Sequence, residues 1–253
     1  MKRSISRTSQ VDKWFRAFAV VFWLSIWQVA SMAVNQMIIL PSPIRTAQTL
    51  WGLLHQAPFY RAVLGSFIRI LLGFVLALGS GMLLATLAAG SRYVRMLVDF
   101  PMAAIGASPI ASFAILALVM IGKENLSVFI AFLMALPVIY LNVLKGIDSA
   151  DAKLIEMADV FRINRARKIR AIYLPAAVPY LLSACRIALG MCWKSGLAAE
   201  VIGQPDGSIG DALYRAKIFL ETDAVFAWTV AIIALSIGFE QIVMLVMRRL
   251  GRD

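Results

Sequence analysis

The chain has 253 residues, 61% of them hydrophobic and 15% charged, with a formal net charge of +11 and a mean hydropathy of +0.81. A soluble domain of this length cannot bury so much apolar side chain, so the composition excludes one and requires an integral membrane protein. The positive charge would suit a nucleic-acid binder, but Lys and Arg sit in the gaps between apolar runs and form no patch interleaved with aromatics, which excludes that class as well.

Six apolar segments, at about 15–34, 64–90, 98–121, 126–144, 176–198 and 224–247, each approach the roughly 20 residues that a hydrocarbon layer demands of a helix. The fold class is therefore all-α: a polytopic membrane protein of about six transmembrane helices. It divides into an N-terminal tail 1–14, a membrane domain 15–247 containing a long polar loop 145–175, and a C-terminal tail 248–253. Ala17 to Val34 is long enough to span, and no small-x-small cleavage site precedes a soluble domain, so no cleavable signal is expected.

After the first span, Leu40-Pro41-Ser42-Pro43 predicts an extended turn feeding a short helix with Ile44, Ala47, Leu50, Trp51 and Leu54 on one face, lying along the membrane surface. His55, the only histidine, is expected to be packed or solvated. Arg69 enters the second span near its end, where snorkelling to the headgroups accounts for it. In the third span, Pro101, Gly106 and Pro109 predict a kink or break, and Pro137 lies in the fourth. Broken spans are tolerated where protein or a cavity surrounds them, which favours a translocation path over a lipid-facing anchor.

Between the fourth and fifth spans runs Lys153 to Pro175, KLIEMADVFRINRARKIRAIYLP. Leu154, Met157, Ala158 and Phe161 fall at i, i+3, i+4 and i+7, so a helix over 154–165 carries one apolar stripe with Glu156 and Asp159 turned away. Such a stripe is received either by the membrane surface and the protein's own spans or by a groove on a soluble partner. Basic residues give the side. Lys2, Arg3, Arg7, Lys13, Arg16, then Arg92 and Arg95, then the cluster from Lys145 to Arg170, then Arg248, Arg249 and Arg252 occupy alternate gaps, which places both termini and the 145–175 loop in the cytoplasm.

Glu156, Ala158, Ile172, Leu174 and Pro175 stand at the spacing of the EAA motif of ABC importer permeases: Glu-Ala-Ala, three residues, Gly, nine residues, Ile-x-Leu-Pro. The chain resembles that family over essentially all of its length after the N-terminal tail. Leu40 to Pro43, Arg186 to Gly190, Ala199-Glu200, Thr222-Asp223 and Phe226 to Trp228 resemble its nitrate, sulfonate and taurine branch. The resemblance implies that the 145–175 loop holds a coupling helix, with Leu154, Glu156, Met157, Ala158, Phe161, Arg162 and Pro175 meeting an ATP-hydrolysing subunit. It further implies a second permease copy, an extracytoplasmic solute-binding protein, and a place in the bacterial plasma membrane. Met157 replaces the first motif Ala and keeps a helix former there. Arg162 replaces the motif Gly, which costs roughly 1 kcal/mol if that position needs a positive φ, and Asn164 is the residue that could take over such a turn.

In the fifth span, Cys185 and Cys192 lie seven residues apart, about 10 Å along a helix axis and too far for a disulfide. Arg186, eleven residues past Pro175, and Glu240, eight before Arg248, have comparable depth at about 1.5 Å per residue. An unpaired charge there costs at least about 2.5–3.5 kcal/mol, so the two are expected to form a buried pair, with a contact to solute as the alternative. Glu200 ends the span. It touches solute, holds a gate, or is simply an exposed carboxylate at a helix end. Trp193 and Lys194 suit an interfacial belt. From Val201 to Asp223, Gly203, Pro205, Gly207 and Gly210 predict a loop, followed by a short helix through Tyr214 and Phe219 at the outer mouth.

The function expected is that of a non-catalytic permease subunit of an ATP-driven importer for a small solute, an anion such as a sulfonate, taurine or nitrate among the candidates. The chain has no GxxxxGK[ST], HExxH or GxSxG and no histidine cluster, so neither a cofactor nor a metal is expected. An ion-coupled secondary transporter would show internal repeats and more buried acids. An intramembrane enzyme would need a nucleophile and base, or a metal cluster, within the spans.

Overall fold

A computed structural model describes the backbone of residues 5–36 and 38–250, and the side chains of that range except 5–13, 16, 17 and 246–250. The basic residues expected to orient both ends, Lys2, Arg3, Arg7, Lys13, Arg16, Arg248, Arg249 and Arg252, therefore have side chains outside the described set.

All regular structure among the described residues is helical. In chain order it comprises α1 (Ile5–Val34), α2 (Pro43–Leu54), α3 (Ala57–Gly90), α4 (Arg92–Ala107), α5 (Ile110–Ile121), α6 (Lys123–Asp148), α7 (Ala152–Val160), α8 (Arg165–Lys168), a π turn (Ile169–Tyr173), α9 (Leu174–Gly203), α10 (Ile209–Ile218) and α11 (Thr222–Leu250). Four stretches, Ala57–Gly90, Lys123–Asp148, Arg165–Gly203 and Thr222–Leu245, are long and apolar enough to cross a membrane, and α4 with α5, bent by 105°, would make a fifth. Six is thus not the number of crossings counted among the described residues. The sixth expected span falls on α1, of which the described apolar stretch is Phe18–Val34, the side chains of residues 16 and 17 before it lying outside the described set.

The expected break in the third span occurs at Ser108 and Pro109, both in extended backbone. A residue before proline is pushed out of the helical region, and proline has no N–H to continue the ladder. Pro101 and Pro137, by contrast, sit inside α4 and α6 without ending them.

The helices fall into two compact units, the segment ending at Phe59 with Leu213–Ile232, and Tyr60–Ala212 with the segment from Ile233 onward. In the second, α6 packs along α9. Leu126, Ile130 and Met134 of α6 meet Ala199 of α9 and Ala114 and Ala117 of α5 in one buried cluster. Small residues let the backbones approach, as membrane helices require. A Cβ on Gly73 of α3 would lie 2.6 Å from the Val128 carbonyl oxygen, and one on Gly146 of α6 2.9 Å from Cα of Ala177. Polar ties hold α4 to α6: the Tyr140 hydroxyl donates to Asp99 (2.7 Å) and Arg95 pairs with Asp148 (2.9 Å). Trp193 is buried against Phe239, 5.4 Å between ring centres, and so is no interfacial residue.

The first unit explains two of the sequence stretches singled out above. Ser42 caps α2 by accepting from the Arg45 amide, and the preceding turn is stapled to α1 by Trp27 Nε1 donating to the Pro41 carbonyl and Ser31 Oγ donating to that of Leu40. At the start of α11, Thr222 donates to the Ile38 carbonyl while Asp223 accepts from Thr49 (2.9 Å) and pairs with Arg45 (3.5 Å). Phe226 and Trp228 pack on Trp27 and Phe59. Ile44 and Trp51 on α2 stay exposed. His55 is a surface residue whose Nδ1 lies 2.8 Å from the Trp51 carbonyl oxygen.

Candidate functional site

The loop between α6 and α9 is built from local signals. Asp151 caps α7, its carboxylate accepting from the Lys153 amide (2.9 Å). The helix ends at Val160, five residues before the expected 154–165 boundary, because the chain turns left-handed at Arg162, with φ of 50°. Two hydrogen bonds close this end, Arg162 N–H to the Asp159 carbonyl (3.0 Å) and Ile163 N–H to that of Ala158 (2.9 Å). They are the paired bonds of a Schellman cap, whose left-handed position is ordinarily glycine. Asn164 does not take over the turn; its φ is −57° and its side chain caps α8 by accepting from the Ala166 amide. Lys168 of α8 reaches back to pair with Asp159 of α7.

The strain at Arg162 has a measurable sign. Arg162→Gly should stabilise the chain by about 0.5–1 kcal/mol, since glycine adopts this φ without the Cβ clash but loses more backbone entropy. A thermal-unfolding comparison in detergent checks it, and a lower midpoint for the glycine variant would contradict it.

Of the apolar stripe on α7, only Ala158 is buried. Leu154 and Met157 are 44% and 48% exposed, and Phe161, at the C-cap, is 73% exposed. Glu156 is exposed too. Pro175 lies in the first turn of α9, directly after the π turn, where Leu174 N–H bonds to the Ile169 carbonyl five residues back. Proline cannot donate to the carbonyl four residues back and its ring would strike it, and the wider π turn removes that conflict.

The three ionisable candidates for the path divide into two places. Arg186 and Glu240 pair as expected, 3.4 Å apart, but with side chains 56% and 43% exposed. They line an open hollow with Gln241, Met244 and Leu245, so on this chain alone the pair is not buried. Glu200, fourteen residues and about 21 Å along α9 from Arg186, is completely buried and not the exposed helix-end carboxylate that its position suggested. Its Oε2 accepts from Ser66 Oγ of α3 (2.5 Å) and lies 3.4 Å from the Gly210 amide. Arg69 does not snorkel. Its Nη1 faces Glu200 Oε1 at 3.8 Å, and its Nη2 donates to the Asp206 carbonyl (3.2 Å) and lies 3.5 Å from Glu124. Ser66 escaped sequence reasoning, although its separation of three residues from Arg69 on one helix places the two on one face.

Residues 70–252 match the model of the family described as binding-protein-dependent transport system inner membrane component. The chain belongs to that family. The permease is 30% identical over 206 residues, 81% of its length and 74% of the relative's, to the putative aliphatic sulfonates transport permease protein SsuC of Bacillus subtilis. It is 28% identical over 205 residues, 77% of its length and 73% of the relative's, to the nitrate import permease protein NrtB of Synechococcus elongatus. It is 26% identical over 223 residues, 79% of both chains, to the bicarbonate transport system permease protein CmpB of the same species. Among solved structures, its fold matches a chain of a bacterial ABC transporter involved in the import of the acidic polysaccharide alginate, with a TM-score of 0.60, 18% identity, and coverage of 96% of the permease and 97% of that chain. The permease is an ABC importer subunit of the sulfonate and nitrate branch, from a family of transport proteins rather than enzymes. The matched residues include α7, Arg186, Glu200 and Glu240.

Proposed function

We propose that the permease carries a small anion through the inner membrane as one of two like subunits, driven by an ATPase that docks on α7. The observation that carries this reading is the exposure of Leu154, Met157 and Phe161 on a helix capped at both ends. A rigid short helix with an uncovered apolar stripe is what a groove-binding partner recognises. The distribution of basic residues supports a cytoplasmic position for loop 145–175 and both termini, within a membrane domain 15–247. Movement imposed on α7 passes through its cap and α8 into α9, since Lys168 ties α8 to α7 and the π turn continues into α9 without a break. ATP-driven closure of the partner then shifts the spans between inward- and outward-open states, by binding one state more tightly than the other.

An anionic solute is supported by the relatives' named solutes, aliphatic sulfonates, nitrate and bicarbonate, all small anions. A solute-binding protein would deliver it to the face formed by the 201–223 segment. The test is reconstitution of the permease with its ATPase and binding protein in liposomes, with uptake of a sulfonate, nitrate and bicarbonate measured in turn. ATP-dependent uptake of one of them is expected. Uptake that persists without ATP and collapses with the ion gradient would replace this reading with ion-coupled transport.

A further inference from the structure

The loop between α9 and α10 has little structure of its own to hold it. Gln204 and Gly207 both have positive φ, 51° and 65°, and the backbone groups around them have to find partners elsewhere. They find them on buried side chains of the helices. The Ile209 amide donates to Ser66 Oγ (2.9 Å), the same hydroxyl that donates to Glu200, and the Gly210 amide points to Glu200 itself. The Asp206 carbonyl accepts from Arg69, while the Asp206 carboxylate pairs with Lys123 at the start of α6 (3.0 Å). The fit leaves no room for side chains: a Cβ on Gly65 would lie 2.7 Å from the Gly207 carbonyl oxygen.

Glu200 and Ser66 are both completely buried, and a buried carboxylate is kept only where donors meet it. Two of its donors are the loop amide of Gly210 and a serine that also holds the loop amide of Ile209, and its counter-charge, Arg69, holds a loop carbonyl. The carboxylate and the loop thus depend on each other. We propose that Glu200, through Ser66 and Arg69, is a positioning residue that latches the 204–210 loop onto α3 and α9 and so presets the surface on which the solute-binding protein docks. The second half of this statement rests on the functional reading above. The first half does not.

Hydrogen exchange on the full-length permease with its ATPase, without binding protein, separates the two. In Ser66→Ala, a peptide covering 204–212 should exchange at least tenfold faster, while peptides from the middle of α6 and α9 keep their wild-type protection. Ser66→Thr, which keeps the hydroxyl, should restore protection. Unchanged exchange of the 204–212 peptide in Ser66→Ala overturns the latch, and equal loss in all peptides overturns it too, by showing a general structural role. As a second readout, the binding-protein concentration giving half-maximal stimulation of ATP hydrolysis should rise about tenfold in Ser66→Ala, with the unstimulated rate unchanged. Faster exchange with an unmoved half-maximal concentration would overturn the docking role and leave the latch.

Discussion

Phe161→Asp should abolish co-purification of the ATPase while leaving the permease's own unfolding midpoint nearly where it was. The two halves follow from one fact, that the ring is 73% exposed on the isolated chain. An exposed side chain away from caps and networks contributes to folding within about 0.5 kcal/mol. Phe161 is the C-cap of α7, but its cap function uses its backbone N–H, bonded to the Met157 and Asp159 carbonyls, which substitution preserves. In the docked state the ring would fill a groove, and truncating such an anchor costs about 2 kcal/mol or more. Aspartate adds an unpaired charge in a desolvated site, so a total near 4 kcal/mol, roughly a thousandfold in affinity, is a reasonable expectation. Leu154→Ala, a smaller loss at the other end of the same stripe, should weaken association without abolishing it. Normal recovery of the ATPase with the Phe161→Asp permease would remove α7 as the docking element.

Features that depend on a few adjacent residues were legible in the sequence. The start of α2 after Leu40-Pro41-Ser42-Pro43, the break at Pro109 and the loop after Gly203 follow from proline and glycine, whose backbone limits need no tertiary context. The Arg186–Glu240 pair followed from counting depth along two helices. The left-handed turn at Arg162 was pointed to only by the resemblance, which sets a glycine there; arginine itself gives no turn signal, and so the helix was expected to run on to 165. Glu200 and Arg69 were misread for a different reason. Depth along a helix places both near a membrane surface, but the chain folds the 204–210 loop back over them, and that fold-back depends on contacts between residues more than 130 positions apart. The density of glycine at 203, 207 and 210 was the available clue, since glycine marks close backbone approach as well as turns. Asp223 was likewise opaque: its partners Arg45 and Thr49 lie on another helix far earlier in the chain.

Gly210→Ala should be among the most damaging single substitutions in the permease. A Cβ there would lie 2.3 Å from the Glu200 carbonyl carbon, 2.4 Å from its Cβ and 2.5 Å from the Val201 nitrogen. The carbonyl carbon and the nitrogen are backbone atoms within a helix, and even the Glu200 Cβ is fixed by that backbone, so no rotamer change relieves the overlap. The start of α10 would have to back away from α9 by about 1 Å, and that movement pulls the Gly210 amide from Glu200 and the Ile209 amide from Ser66. Each lost hydrogen bond in a buried site costs about 1–3 kcal/mol, more at a charge. The carboxylate left with fewer donors makes the total about 3–5 kcal/mol. Gly190→Ala on the same helix α9 is the control, because a Cβ there meets nothing within 4 Å and alanine is the better helix former by up to about 1 kcal/mol. Cys185 and Cys192 supply the assay: both are free and buried on α9, so a thiol-reactive dye reports unfolding as they become accessible. The Gly210→Ala midpoint should fall by several degrees or more and that of Gly190→Ala should hold or rise. Equal midpoints for Gly210→Ala and the wild type would mean that the loop does not lie against Glu200 as described, and the latch would fall with it.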